Sequence, residues 1–98
     1  MRVFDVRADG SLTGDREFAR YPAGAFDGLR IDGEDRIWTS AGEGVACYEA
    51  DGTLIGRIVI PERVSNLTFG GPKRNRLFIT ATSSLYSVLV AVSGAKTV

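Results

Sequence analysis

The chain repeats itself at intervals of about 40 residues, and this limits its folds more than any other feature. Ala8-Asp9-Gly10-Ser11-Leu12 recurs 42 residues on as Ala50-Asp51-Gly52-Thr53-Leu54. Arg36-Ile37-Trp38 recurs at an offset of 40 as Arg76-Leu77-Phe78, Leu29 and Ile31 at 38 as Leu67 and Phe69, and Pro22 at 39 as Pro61. A unit of that length holding four short strands is the signature of a β-propeller blade. A sandwich or a small barrel also has closely spaced strands, but neither needs the self-similarity.

The strands follow from punctuation. Asp9-Gly10, Asp27-Gly28, Asp32-Gly33 and Asp51-Gly52 divide short runs rich in Val, Ile, Leu, Phe, Tyr, Trp and Thr. Asp-Gly between such runs predicts a tight hairpin, because Gly supplies the positive φ that the turn requires. Strands are expected near 2–7, 16–20, 28–32, 36–41, 44–49, 54–60, 64–69, 76–82 and 84–91. No stretch carries a 3.6-residue apolar period, so an all-β chain with close to no helix is predicted.

Phasing the repeat gives a partial propeller across 1–98, about two and a quarter four-stranded antiparallel blades. Residues 1–21 supply the outer strands of one blade, 22–61 a full blade, and 62–98 three strands of a last blade. A ring needs roughly four to eight blades. A piece this size leaves a blade face bare. Two explanations stand: the tail of a longer protein, or several copies assembling into a ring.

Composition removes several functions. Twelve Lys and Arg balance twelve Asp and Glu. Neither nucleic acid nor a membrane surface is an expected partner, since both are usually met by a basic patch. The absence of His excludes a Ser-His-Asp site and a His-ligated zinc within this chain. Cys47 is alone, so no intrachain disulfide forms. A lone Cys and an N-terminus without a signal-peptide core lead to the expectation of a cytoplasmic protein.

Phe26-Asp27-Gly28-Leu29-Arg30-Ile31-Asp32, followed by Arg36-Ile37-Trp38-Thr39-Ser40, resembles the Pro-Asp-Gly, apolar-strand, Ile-Trp signature of the gluconolactonase family. That family also includes senescence marker protein and luciferin-regenerating enzyme. Gly44-Val45, Tyr48, Asp51-Gly52-Thr53-Leu54, Gly56, Ile58 and Pro61 sit as they do there. Val64 to Pro72, Arg76 to Ala81 and Ser84-Leu85-Tyr86 are similar to the last-blade motif. The resemblance implies a six-bladed propeller that hydrolyses sugar lactones or related esters. It also implies a divalent metal in the central channel, Ca²⁺ first, with Zn²⁺ and Mg²⁺ as alternatives. The match is to the C-terminal third of such a protein.

Carried over residue by residue, the resemblance makes Asp27 a metal ligand and the catalytic general base, with Phe26 where the family has Pro. Ca²⁺ takes about six to eight oxygen ligands. The family's other ligands, a Glu from the first blade and Asn residues from middle blades, have no counterparts here. The isolated chain is therefore expected to be inactive and to self-associate through its bare edges. The alternative is a non-catalytic propeller piece serving as a structural or interaction module, in which Asp27-Gly28 is only a turn before a strand.

Ser65 falls at the repeat position of Asp27, counting back from Leu67 and Leu29. It and Asn66 are candidate substrate-binding residues, against the plainer reading that a Ser there bonds to backbone. Gly42-Glu43-Gly44 reads as a hairpin, with Glu43 solvated. Trp38, Phe69 and Phe78 read as packing between blades, and Cys47 as a small buried apolar group. Lys73-Arg74-Asn75-Arg76 reads as a solvated basic loop.

Overall fold

The computed structural model describes residues 1–21 and 25–96. Among them are nine strands: β1 (Arg2–Val6), β2 (Leu12–Glu17), β3 (Phe26–Ile31), β4 (Ile37–Ala41), β5 (Gly44–Tyr48), β6 (Leu54–Val59), β7 (Val64–Gly70), β8 (Arg76–Ala81) and β9 (Leu85–Leu89). No described residue is helical. The strands form three antiparallel meanders, β1-β2, β3-β4-β5-β6 and β7-β8-β9. This is the all-β, blade-by-blade order that the repeat predicts. Pro22 and the 21/22 boundary lie outside the described residues, as does the last residue, Val98.

The repeated turns superpose bond for bond. Gly10 N–H donates to Arg7 O (2.9 Å) and Arg7 N–H to Ser11 O (2.8 Å). Gly52 N–H donates to Glu49 O (2.9 Å) and Glu49 N–H to Thr53 O (2.8 Å). Asp9 Oδ1 and Asp51 Oδ1 each accept the amide two residues on, at 2.9 Å. The loops therefore hold three residues, with Gly10 (φ 87°) and Gly52 (φ 94°) left-handed in the third place. Because Gly10 closes its turn at once, Leu12 pairs directly with Val6. The second strand thus runs Leu12–Glu17 and not 16–20. The last strand stops at Leu89 and not at 91: Val90 N–H still reaches its register partner Asn75 O (2.9 Å), but Asn75 belongs to the β7–β8 connection and the ladder ends there.

The middle sheet is buried on both sides. Ala19, Ala41, Ala46 and Tyr48, with Phe18, Tyr21 and Phe26 against them, form the seam toward the β1-β2 pair. Val45, Ile60, Val64, Leu67, Leu77 and Ile79 form the seam toward the last sheet. All of β5 is buried, and β6 and β9 are largely exposed. Sheets that bury their faces only against neighbours are what blade stacking requires.

The turn after β3 holds a carboxylate that its Asp-Gly spelling conceals. Asp32 is fully buried. It accepts the Trp38 Nε1–H (2.9 Å) and the amides of Glu34 (2.8 Å) and Arg36 (3.0 Å), with the Arg36 guanidinium at 3.6 Å. Burial pushes its pKa up, but the Trp38 bond, the two amides and Arg36 together bring it below the ordinary carboxylate value. Left-handed geometry here falls on Asp35 (φ 63°) and not on Gly33.

Candidate functional site

Asp27 and Gly28 do not form a turn. They lie inside β3, where the pairing steps from Phe26↔Ala41 to Leu29↔Thr39, so two residues face Ser40 alone. This is a β-bulge, a device that re-aims side chains. Ser40 Oγ accepts both bulge amides, from Asp27 (3.0 Å) and Gly28 (2.9 Å). Thr39 Oγ1–H donates to Gly28 O (3.2 Å). Ser40 and Thr39 are fully buried, and Asp27 is exposed. A buried hydroxyl clamp thus carries an exposed carboxylate.

The last sheet repeats the device. β7 steps from Val64↔Ala81 to Asn66↔Thr80, which leaves Ser65 as the extra residue. Ser65 Oγ lies 3.0 Å from Thr80 Oγ1, and Thr80 Oγ1–H donates to Asn66 O (3.3 Å). Ser65 and Asn66 are exposed. Asn66 Oδ1 accepts the Leu67 amide at 2.9 Å, using one of its two acceptor positions. A Cβ built on Gly28 would sit 2.1 Å from Asn66 Oδ1 and 3.0 Å from Asn66 Cα, so the two bulges touch where position 28 has no side chain. The three predicted site residues, Asp27, Ser65 and Asn66, therefore belong to two touching bulges at the starts of the inner strands.

These groups suit a divalent cation in kind but not in number. The carboxylate, amide and hydroxyl oxygens are hard donors of the sort that Ca²⁺ takes. Among the described residues, however, no three Asp, Glu, Cys or His side chains cluster.

The remaining candidates sort by burial. Glu43 is exposed at the β4–β5 turn, where Gly42 is left-handed (φ 61°). Trp38 and Phe69 pack edge to face across the seam, centroids 5.9 Å apart. Burial, then the nearby Asp32 charge, pushes the Cys47 thiol up to about 11, which fits an inert buried group. Lys73-Arg74-Asn75-Arg76 is not a free loop. Ser93 Oγ–H donates to Lys73 O (2.8 Å), Gly94 N–H to Arg74 O (2.8 Å), and the Arg74 guanidinium to Ala95 O. The same segment reaches the middle blade through Gly33 N–H to Ser93 O (2.8 Å) and Ala95 N–H to Ile31 O (2.9 Å). Sequence reasoning missed this segment because nothing local marks which turn it docks on. It also missed Glu62, whose carboxylate accepts Tyr86 O–H (2.7 Å), the Ser83 amide (3.1 Å) and the Ser83 hydroxyl. The Ser83 hydroxyl and Tyr86 bonds hold Glu62 below the usual range.

A family model described as the SMP-30/Gluconolactonase/LRE-like region matches residues 1–83. The chain belongs to this family. Within reach of the SMP-30/gluconolactonase members, pentonolactonase XacC of Haloferax volcanii is 37% identical over 76 residues, covering 72% of this chain and 26% of that protein. A solved candidate gluconolactonase superposes with a TM-score of 0.91 at 33% identity, over 98% of this chain and 33% of that one. Regucalcin from Agrobacterium tumefaciens, a calcium-binding protein, gives 0.71 at 30% identity, over 84% of this chain and 30% of that one. The chain thus spans between 26% and 33% of the length of these relatives. The three sheets are accordingly part of a β-propeller of the gluconolactonase family.

Proposed function

We propose that this chain supplies two inner strands of a metal-dependent sugar-lactone hydrolase, with Asp27 as metal ligand and general base. Ser65 and Asn66 would contact the substrate. The observation that supports this reading is the bulge that carries an exposed carboxylate at Asp27, next to the Gly28 that touches Asn66, in a chain of a lactonase family. Ca²⁺ is the proposed metal, since the donors are hard oxygens and a related protein, regucalcin, is a calcium-binding protein. A bound cation of this kind polarises a lactone carbonyl and makes water easier to deprotonate. Asp27 contributes negative charge and a proton acceptor, Asn66 Oδ1 a free lone pair, and Ser65 a hydroxyl. With one carboxylate where Ca²⁺ takes about six to eight oxygens, the isolated chain is inactive. Its uncharged β9 edge, with Leu85 and Leu89 exposed, also drives self-association.

The test compares the purified chain with the complete propeller that contains it, using a sugar lactone and Ca²⁺. The chain alone should not turn over. In the complete propeller, Asp27→Asn keeps the shape but loses the charge and the base. Even outer-shell partners of metal ligands are worth about 10–100-fold, so a loss on the order of 100-fold or more is expected in Ca²⁺ affinity and turnover. The metal-free unfolding midpoint should hardly move. Parental affinity and turnover in Asp27→Asn would overturn the reading and leave the non-catalytic module.

A further inference from the structure

We propose that Ser40 is the positioning residue that sets the aim of Asp27, an inference that rests on the reading of Asp27 as metal ligand. A Ser hydroxyl has two acceptor positions. Ser40 Oγ spends both on the amides of Asp27 and Gly28, at 3.0 and 2.9 Å. Those are the two residues that face Ser40 alone across the bulge. Side chains alternate along a strand with a period of two, so whether the extra residue is kept decides which side of β3 the carboxylate leaves from. Ser40 is fully buried, so water does not substitute for its oxygen. Thr39 holds the next peptide of the bulge by its carbonyl, Gly28 O, at 3.2 Å. The last blade shows that this is not simply how a bulge must be built. There the repeat mate of Ser40 is Thr80, whose hydroxyl bonds to Asn66 O and Ser65 Oγ and accepts no bulge amide. The amide clamp occurs in the blade that carries the carboxylate.

The experiment uses the complete propeller with Ca²⁺ alone as probe, in Ser40→Ala, Ser40→Cys and Asp27→Asn. Ser40→Ala should weaken Ca²⁺ binding by about 10–100-fold, the usual cost of losing a group that orients a metal ligand. Hydrogen exchange should quicken at the Asp27 and Gly28 amides and little elsewhere. Ser40→Cys keeps the volume but offers a weak acceptor, so it should fall between parent and Ser40→Ala. If Ser40→Ala does not fold, Ser40→Cys decides alone. A folded Ser40 variant with a lower unfolding midpoint but parental Ca²⁺ affinity, where Asp27→Asn has lost it, makes Ser40 structural and overturns the proposal by itself. Parental affinity in Asp27→Asn overturns the reading of Asp27, and the proposal falls with it.

Discussion

The middle and last blades are two versions of one plan, and they differ in what closes the turn between the first and second strands. In the middle blade a buried acid does it, as Asp32 collects three donors and Arg36. In the last blade the matching residue is Gly70, which faces Arg76 as Asp32 faces Arg36, and the matching aromatic is Phe78 where the middle blade has Trp38. Neither carries a polar group for such a bond. The turn is held instead from outside, by residues 93–95 docking on Lys73 and Arg74. Both turns still hold a left-handed non-Gly residue whose N–H donates to the carbonyl three residues back, Asp35 to Asp32 O (3.2 Å) and Arg74 to Gly71 O (3.1 Å). The lesson is that the hairpin repeats while the length of its turn and the interaction that fixes it do not. A blade between two neighbours can bury a carboxylate, and a blade with one open face relies on a strap.

The largest effect should come from removing the acid. Asp32→Ala leaves the Trp38 Nε1–H and two amides without an acceptor in a dry turn. Breaking a buried charged cluster from one side costs about 3–5 kcal/mol. That is a large part of the roughly 5–15 kcal/mol that holds a domain together. Denaturant unfolding of the chain measures it, and a loss within about 1 kcal/mol would mean that the strap, not the acid, holds both turns.

Trp38→Phe is the milder cut, since it gives the middle blade the last blade's residue. It deletes one donor and keeps an aromatic edge toward Phe69. An unfolding loss of about 1–2 kcal/mol is expected, the scale of one buried bond to a charged group. Combined with Asp32→Asn the two losses should fall short of additive, because the residues share the bond. Full additivity would separate Trp38 packing from the acid.

Much of this plan was legible in the sequence, and the limits have a physical cause. The Ala-Asp-Gly-(Ser/Thr)-Leu turns were readable because every group they need is local, down to the Asx bond. The repeat then gave the sheet order. Asp27, Ser65 and Asn66 were legible as one set only through the repeat and the family signature. Ser40 was not, because its importance depends on a one-residue slip in register that no spacing in the chain announces. Asp27-Gly28 and Asp32-Gly33 were read alike as turns. One proved to be a bulge and the other hides the buried acid, since Asp-Gly states only what the backbone tolerates, not what the side chain meets. A sharper signal was present: Asp32 lies six residues before the single Trp, and its repeat mate is Gly70.

A pH titration asks the same question without a large perturbation. The folded pKa of Asp32 lies below the roughly 3.9 of an unfolded Asp. A depressed pKa contributes stability that is complete above about pH 4 and is lost as pH falls through the folded value. In unfolding profiles the gap between parent and Asp32→Asn should be constant from neutral pH down to about pH 4 and shrink below it. A gap that stays constant into stronger acid would show that the carboxylate's charge adds nothing to the turn.

The smallest perturbation tests the open face itself. Cys47 pairs with Trp38 on β5, and at an offset of 40 its mate Ser87 pairs with Phe78 on β9. The mates differ in surroundings: Cys47 is buried in the middle blade, and Ser87 is exposed on the last one. Thiolate is the reactive form, and the folded Cys47 thiol is pushed up to about 11. An ordinary exposed thiol titrates near about 8.5, so at mildly alkaline pH its thiolate fraction is roughly two orders of magnitude larger. Ser87→Cys should leave stability almost unchanged, as exposed substitutions do. It should also react with a thiol reagent at least roughly 100-fold faster than Cys47 in the same folded molecule, since access adds to the thiolate advantage. Equal and rapid labelling would show that the middle blade opens as easily as the last. A protected Ser87→Cys thiol that becomes reactive on dilution would show that a second copy covers β9, so that the last blade, like the middle one, is buried on both sides once the chain associates.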